Sequence, residues 1–273
     1  MKRWNWMDDL TETAVLPKLT TKWLGHSYQY LETITSTNDV LKQREDSPSH
    51  GMVLVVDFQS QGRGRLGRRW EALPGTSLIL SLLLRPEWLA EQSLWLTMMA
   101  GLAAAEAIEL LTDVPISLKW PNDVGVELDG VWHKLGGLLV EGSIGENGRL
   151  QSAVIGMGLN VNMTRAQLPE GITPVTSLLV AGGQTVDRQA LLLAFLARME
   201  NWYETAVSGQ SPCGAWEKRL VTLGREVQVS QARGVLRGTA VGVDKWGQLR
   251  VKTQDGIIHT ITAGDVSLRK ETT

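Results

Sequence analysis

A single cysteine, Cys213, occurs in 273 residues, which rules out an internal disulfide and suits a reducing compartment. Near the expected start of a helix, it reads as a small packing residue rather than a reactive thiol. Histidine is nearly as sparse: His26, His50, His133 and His259 show no ligand spacing, so no zinc-type site can be read from the chain. An excess of one charge is missing too. The formal net charge of -2 and a pI near 6.1 argue against a protein that coats nucleic acid, because such domains usually carry a basic face. No apolar run opens the chain between Met1 and Asp9, so a cytoplasmic protein is expected, with no membrane partner. The charge-free stretch Ser93 to Ala105 is too short for a bilayer and predicts a buried core helix. Internal repeats, low-complexity segments and a Walker-type Gly-Lys-Ser/Thr loop are absent as well.

What is present is an ordinary globular composition, 43% hydrophobic and 21% charged, long enough for a large domain and a small one. Residues 1–28 lack a period and read as a loosely structured extension. Residues 29–223 form the expected main domain. Ser36 or Thr37 should cap a short helix starting near Asn38, and Val53-Leu-Val-Val56 lies in a strand over Met52 to Phe58 that is buried on both faces. A second strand is expected over Ser77 to Leu84, and the core helix over Glu91 to Leu111, with Trp95, Met98 and Leu102 facing inward. Leu118 to Trp120 leads into a Pro121-Asn122-Asp123 turn. Strands follow over Val124 to Leu128, after Lys134, over Leu138 to Glu141 and over Leu150 to Val161. The Asp129-Gly130 and Asn147-Gly148 pairs mark an antiparallel meander, whose edge could pair two copies into a homodimer. Asp187 to Ala206 and Gly214 to Leu223 read as helices. From Gly224 the texture turns to short strands and turns, as in a small SH3-like β-barrel over residues 224–273.

The richest stretch is Gln61-Gly-Arg-Gly-Arg-Leu-Gly-Arg-Arg-Trp70, with three glycines and four arginines in ten residues. Glycine lets backbone N–H groups approach a ligand, and guanidinium forks match carboxylate or phosphate oxygens. Taken with Ser36-Thr37-Asn38, Gln59, Lys119-Trp-Pro-Asn-Asp123, Lys134-Leu-Gly-Gly-Leu-Leu-Val-Glu141 and Gly156-Met-Gly-Leu-Asn160, it resembles the biotin protein ligase family. The likeness runs from about residue 30 to residue 270 and includes the C-terminal piece Gly242 to Arg269.

The resemblance implies an α+β fold: a mixed, mainly antiparallel sheet with flanking helices, of the class II synthetase and lipoate ligase kind, followed by the SH3-like domain. It implies an enzyme that uses ATP with Mg2+ to convert biotin to biotinyl-5′-AMP and pyrophosphate, then passes biotin to a lysine of a biotin carboxyl carrier protein. Two anions must meet in the first step, so positive charge has to be supplied where negative charge builds. Arg63, Arg65 and Arg68 supply it, with Lys134 holding the biotin carboxylate or the phosphate. Gly62, Gly64 and Gly67 would let the loop close and exclude water.

By the same resemblance Ser36, Thr37, Asn38, Gln59, Arg63, Gly64, Arg65 and Lys134 bind biotin. Arg63, Arg65, Arg68, Trp70, Asn122, Lys134 and Asn160 meet the nucleotide. Arg65, Lys134, Asp123 and Lys119 form the catalytic set. Asp123 could assist deprotonation of the acceptor lysine or join a magnesium shell, although magnesium is held mainly by phosphates and water. Trp70 is divided between core packing and stacking on adenine, Asn160 between a strand-end turn and the nucleotide, and Arg69 reads as a surface charge. The rival enzyme is a lipoate protein ligase, disfavoured by the full arginine loop and the C-terminal domain. A DNA-binding repressor is disfavoured because Ser36 stands too near the first residue for a preceding winged helix. An inactive scaffold is disfavoured because no charged motif position is missing.

Overall fold

The computed structural model describes residues 9–43, 50–170, 173–231 and 234–268. Residues 1–8 of the expected extension and Arg269 lie outside them.

The main sheet is built from β1 (Tyr28–Ile34), β2 (Met52–Gln59), β3 (Ser77–Leu84), β4 (Ser117–Lys119), β5 (Asp123–Leu128), β6 (Val131–Ile144) and β7 (Leu150–Asn160), in the order β1-β2-β3-β7-β6-β5-β4. Only β1 and β2 run parallel; the other neighbours are antiparallel. This is the mixed, mainly antiparallel sheet and meander that the sequence predicts. The Asp129-Gly130 turn joins β5 directly to β6, which begins at Val131 and includes Lys134 rather than following it.

Strand alternation decides which side chains meet what, because successive residues point to opposite faces. Along β2, Val53 and Val55 join the main core with α3 (Ser93–Leu111) and α5 (Arg188–Val207), whereas Met52 and Leu54 pack toward Leu41 of α2 (Thr37–Lys42). Helices cover both faces, which is why β2 reads as an unbroken apolar run. On β3, Leu78, Leu80, Leu82 and Leu84 are fully buried in the same core; each such side chain contributes about 1.5–3 kcal/mol. α3 carries no charge from Ser93 to Ala105 because that part is the central core helix, and Glu106 and Glu109 follow near its end. Of the span Ala90–Leu111, long and apolar enough by composition to cross a membrane, 72% of the most apolar window is buried inside the protein.

Three expectations change. The segment before β1 is irregular but packed rather than loose. It contains a short helix, α1 (Glu12–Val15), and Leu10, Val15 and Leu24 are buried. The carboxylate of Glu200, itself buried on α5, accepts the N–H groups of Lys22, Trp23 and Leu24 at 2.7, 3.0 and 2.9 Å. Of the strand Tyr28–Ile34 the sequence shows only the end, in an extended segment that begins at Thr33, because the half-exposed edge position weakens the apolar signal. The helix expected to reach Leu223 stops early, as α6 (Cys213–Glu217), after the short α4 (Leu178–Gly182) and α5. Beyond it the backbone pairs with β4 instead: Leu118 N–H donates to the Arg219 carbonyl at 2.8 Å and Val221 N–H to the Leu118 carbonyl at 2.9 Å.

The C-terminal sheet is fully antiparallel, in the order β11-β10-β9-β8-β12, from β8 (Glu226–Gln231), β9 (Gly234–Val243), β10 (Leu249–Lys252), β11 (Ile258–Ile261) and β12 (Asp265–Leu268). Val227, Val229, Ala240, Leu249, Val251, Ile261 and Val266 alternate into its interior.

Candidate active site

The cleft lies on the face of the main sheet opposite α3 and α5. Alternation places Ile79 and Ser81 of β3 on that face, and the register sets Ser81 beside Gly156 and Ile79 beside Gly158. Two glycines at alternate positions of β7 thus form a floor without side chains. A Cβ on Gly156 would meet Asn38 Oδ1 at 2.2 Å, and one on Gly158 would meet the Trp70 indole at 2.5 Å. Close approach, rather than backbone torsion, is what requires glycine here.

The neutral end of the cleft is built by the start of α2. Ser36 caps the helix, its hydroxyl accepting from Asp39 N–H at 3.5 Å. The side-chain Oε1 of Gln59, at the end of β2, accepts from Thr37 N–H at 2.7 Å and from its hydroxyl at 3.0 Å. Asn38 is pinned on three sides: the Ser81 hydroxyl donates to its Oδ1 at 2.6 Å, and its amide donates to the Leu139 carbonyl at 3.2 Å and to Glu141 at 2.8 Å. Ser36, Thr37 and Asn38 are almost fully buried, so capping and lining are combined in the same residues.

The arginine segment is a tight hairpin. Trp70 N–H donates to the Gly62 carbonyl at 3.0 Å, Arg63 bridges Arg69, and Gly64 N–H donates to the Arg68 carbonyl at 2.8 Å. At the tip Leu66 and Gly67 have φ of 56° and 74°, so of the three glycines only Gly67 takes a left-handed torsion, and an exposed leucine shares it. The spacing formally matches Gly-x-Gly-x-x-Gly, but the hairpin returns to β3 rather than opening a helix, so no helix N-terminus faces an anion here. Three of the four arginines have a carboxylate or carbonyl to hold them. Arg63 is ion-paired with Asp39 and lies 3.1 Å from Glu141. Arg65 donates to Asn122 Oδ1 at 3.0 Å and to the Gly264 carbonyl at 3.3 Å. Arg68 pairs with Asp265. Burial works to raise the Glu141 carboxyl, but hydrogen bonds from Lys42 and Asn38 hold it below its ordinary value.

The cationic end depends on a β-bulge. Gly125 pairs with Lys134 but Val124 pairs with Gly136, leaving Leu135 as the extra residue on β6. That insertion brings Lys134 to the face of Gly137, and its ammonium lies 2.5 Å from Asp123 Oδ1. Lys119 reaches the other oxygen, Oδ2, at 3.5 Å. Asn122 is fixed by its amide donating to the Leu138 carbonyl at 2.7 Å.

The cleft therefore collects Ser36, Thr37, Asn38, Gln59, Arg63, Gly64, Arg65, Arg68, Trp70, Lys119, Asn122, Asp123 and Lys134 from the sequence reading. Arg69 borders it too while remaining exposed, in keeping with a surface charge. Asn160 does not. It sits one alternation beyond Gly158, beside Ser77, is buried, and donates to the Thr176 carbonyl at 3.1 Å, while its Oδ1 has no partner among the described residues. Trp70 packs on Gly158, and its Nε1 likewise has no partner among the described residues. Sequence reasoning missed the supporting set: Ser81, Glu141, Gly264 and Asp265. The alternation in Gly156-Met-Gly-Leu-Asn160 could have signalled the floor. Asp265 carries no local signal, being a lone acid in the C-terminal sheet.

A family model described as the biotin/lipoate A/B protein ligase family matches residues 30–160, and one described as the biotin protein ligase C-terminal domain matches residues 222–269. The biotin--[acetyl-CoA-carboxylase] ligase of Mycobacterium tuberculosis is 33% identical over 257 residues, which is 89% of this chain and 90% of the relative. The chain belongs to the biotin protein ligase family. Its other relatives include the bifunctional ligase/repressor BirA of Bacillus spizizenii, 30% identical over 95% of this chain and 79% of the relative. Among solved structures, the biotin protein ligase of Aquifex aeolicus in complex with biotin and ATP superposes with a TM-score of 0.72 at 33% identity, covering 90% of this chain and 99% of that one. Both parts of the biotin protein ligase architecture are thus present in one chain, and the cleft lies where the C-terminal sheet reaches the arginine hairpin.

Proposed function

We propose that this ligase activates biotin with ATP and transfers it to a lysine of a biotin carboxyl carrier protein, such as that of acetyl-CoA carboxylase. The observation that carries the reading is a single cleft whose one end is lined by neutral Ser36, Thr37, Asn38 and Gln59, with Arg63 balanced there by Asp39 and Glu141, and whose other end is cationic, at Arg65, Arg68, Lys119 and Lys134. The neutral end suits an uncharged ureido ring, which needs short donors and acceptors rather than charge. The cationic end suits the meeting of a carboxylate with a triphosphate.

In the first step a biotin carboxylate oxygen bonds to the α-phosphorus as the bond to pyrophosphate breaks. Arg65, Arg68 and Lys134 offset the charge spread over the phosphoryl oxygens. In the second step the uncharged amine of the carrier lysine attacks the acyl carbon, AMP leaves, and the amine proton is lost. Asp123, with one oxygen on each of two lysines, holds those ammonium groups in place. Each Asp123 oxygen already faces a lysine, which favours magnesium entering on the triphosphate. Trp70 lines the cleft and its Nε1 has no partner among the described residues, which supports its assignment to the nucleotide, whereas Asn160 stands outside the cleft.

Incubation with ATP, Mg2+, a carrier domain and either biotin or lipoate, followed by intact mass measurement, is the direct test. One biotinyl group per carrier is expected, and lipoyl transfer without biotinyl transfer would establish the lipoate ligase instead. The floor gives a second expectation. Gly156→Ala places a methyl group against Asn38, which cannot retreat because Ser81, Leu139 and Glu141 hold it. Biotin affinity by calorimetry should fall at least about tenfold, a loss of about 1.4 kcal/mol, while ATP affinity changes little.

A further inference from the structure

Trp120 is fully buried between Lys119 and the Asn122-Asp123 pair, and both of its N–H groups are held by residues far along the chain. Its backbone N–H donates to the Thr222 hydroxyl at 2.9 Å, and its indole Nε1–H donates to the Gly247 carbonyl at 2.9 Å. Thr222 has no exposed surface, and neither Thr222 nor Gly247 lines the cleft. Leu118 is bracketed by the Arg219 and Val221 backbone on the same side.

The turn that presents Gly247 is itself built rigidly. Asp244 Oδ1 accepts from Trp246 N–H and Gln248 N–H at 2.9 Å each. The Cys213 thiol donates to the Asp244 carbonyl at 3.2 Å. Gly247 has φ of 84°, and a Cβ there would stand 1.8 Å from Met98 Cε of the core helix. A turn locked in this way can serve as a fixed point. β4 is only three residues long, so alone it could not orient the arm that follows it.

We propose that Thr222 and Gly247 are positioning residues for adenylate formation. By holding Trp120 at two points, they set Lys119, Asn122 and Asp123 against Lys134 and Arg65, and they do so without touching ligand. The inference rests on the ligase reading above. The physical ground is that a buried N–H must keep an acceptor, and that displacement of a positioned group by about 1 Å can cost on the order of a hundredfold in rate.

Thr222→Val keeps the shape and removes the acceptor, Thr222→Ser restores it, and Trp120→Phe removes the indole donor at the other end. Biotin-dependent exchange of pyrophosphate into ATP should slow about tenfold or more in Thr222→Val and in Trp120→Phe. Biotin affinity by calorimetry should stay within about twofold, because the neutral pocket is built by α2 and β2, and Thr222→Ser should match the wild type. An exchange rate in both variants equal to wild type, or an equal loss of biotin affinity and rate, or failure of the serine variant to restore the rate, overturns the inference. Should Thr222→Val not fold, Trp120→Phe carries the test. Wild-type protein that performs no exchange refutes the ligase reading itself, whereas wild-type exchange with unimpaired variants refutes this inference alone.

Discussion

Arg65→Ala is expected to leave the fold intact and to slow adenylate formation by about 10²–10³-fold, the usual cost of deleting one preorganised charge or donor at a developing oxyanion. The side chain stabilises little of the core, since its contacts are the Asn122 amide oxygen and the Gly264 carbonyl. Its guanidinium is nevertheless substantially desolvated. Burial draws it below its ordinary value, and Asp123 and Asp265 oppose that shift; a guanidinium stays protonated at neutral pH regardless. A charge in such surroundings acts more strongly on a phosphoryl group than one in water. The same residue spans the cleft from the hairpin to the C-terminal sheet, so its loss also removes a tie across the mouth. The adenylate that does form should escape faster. Filtration of enzyme incubated with biotin and ATP would read this directly, and equal retention by variant and wild type would count against a lid role for Arg65.

Lys134→Met should produce a loss of comparable size in the first step, again about 10²–10³-fold, through a different mechanism. Lys134 is the closer of the two partners of Asp123, at 2.5 Å against 3.5 Å for Lys119. Without it the half-buried carboxylate keeps only the longer contact and projects negative charge toward the incoming carboxylate and triphosphate. The substitution therefore removes a cation and exposes an anion together. Asp123→Asn in the same background removes that exposed charge and should recover part of the rate. Single-turnover adenylate formation measures both, and a double variant no faster than Lys134→Met would show that Asp123 repulsion is not part of the loss.

The features legible in the sequence are those whose cause is local. Ser36 caps a helix because a short side-chain oxygen before an apolar-periodic stretch satisfies an orphan N–H. The Asp129-Gly130 turn and the run Val53 to Val56 announce a hairpin and a strand covered on both faces for equally local reasons. Gly62, Gly64 and Gly67 announced a loop, but not that Leu66 would share the left-handed torsion. The helix read to Leu223 fails because propensity could not foresee that residues 219–222 are taken by β4, through hydrogen bonds to residues more than a hundred positions away. The segment before Tyr28 reads as loose for a related reason: Glu200, which fastens it, is distant in sequence.

On its own, then, the sequence determined the antiparallel meander, the strand at Val53 to Val56 and the Ser36 cap, because periodicity, capping and turn chemistry act over a few residues, while its motifs, through their family resemblance, pointed to the residue kinds that meet in the cleft. Tertiary structure alone decided which charges face one another. The bulge at Leu135 turns Lys134 toward Asp123, alternation along β7 lays Gly156 and Gly158 bare beneath Asn38 and Trp70, and the C-terminal sheet brings Gly264 and Asp265 to the arginine hairpin. Those pairings depend on register and on the packing of elements remote in the chain, and a carboxylate such as Asp265 acquires its partner only when the two sheets are folded against each other.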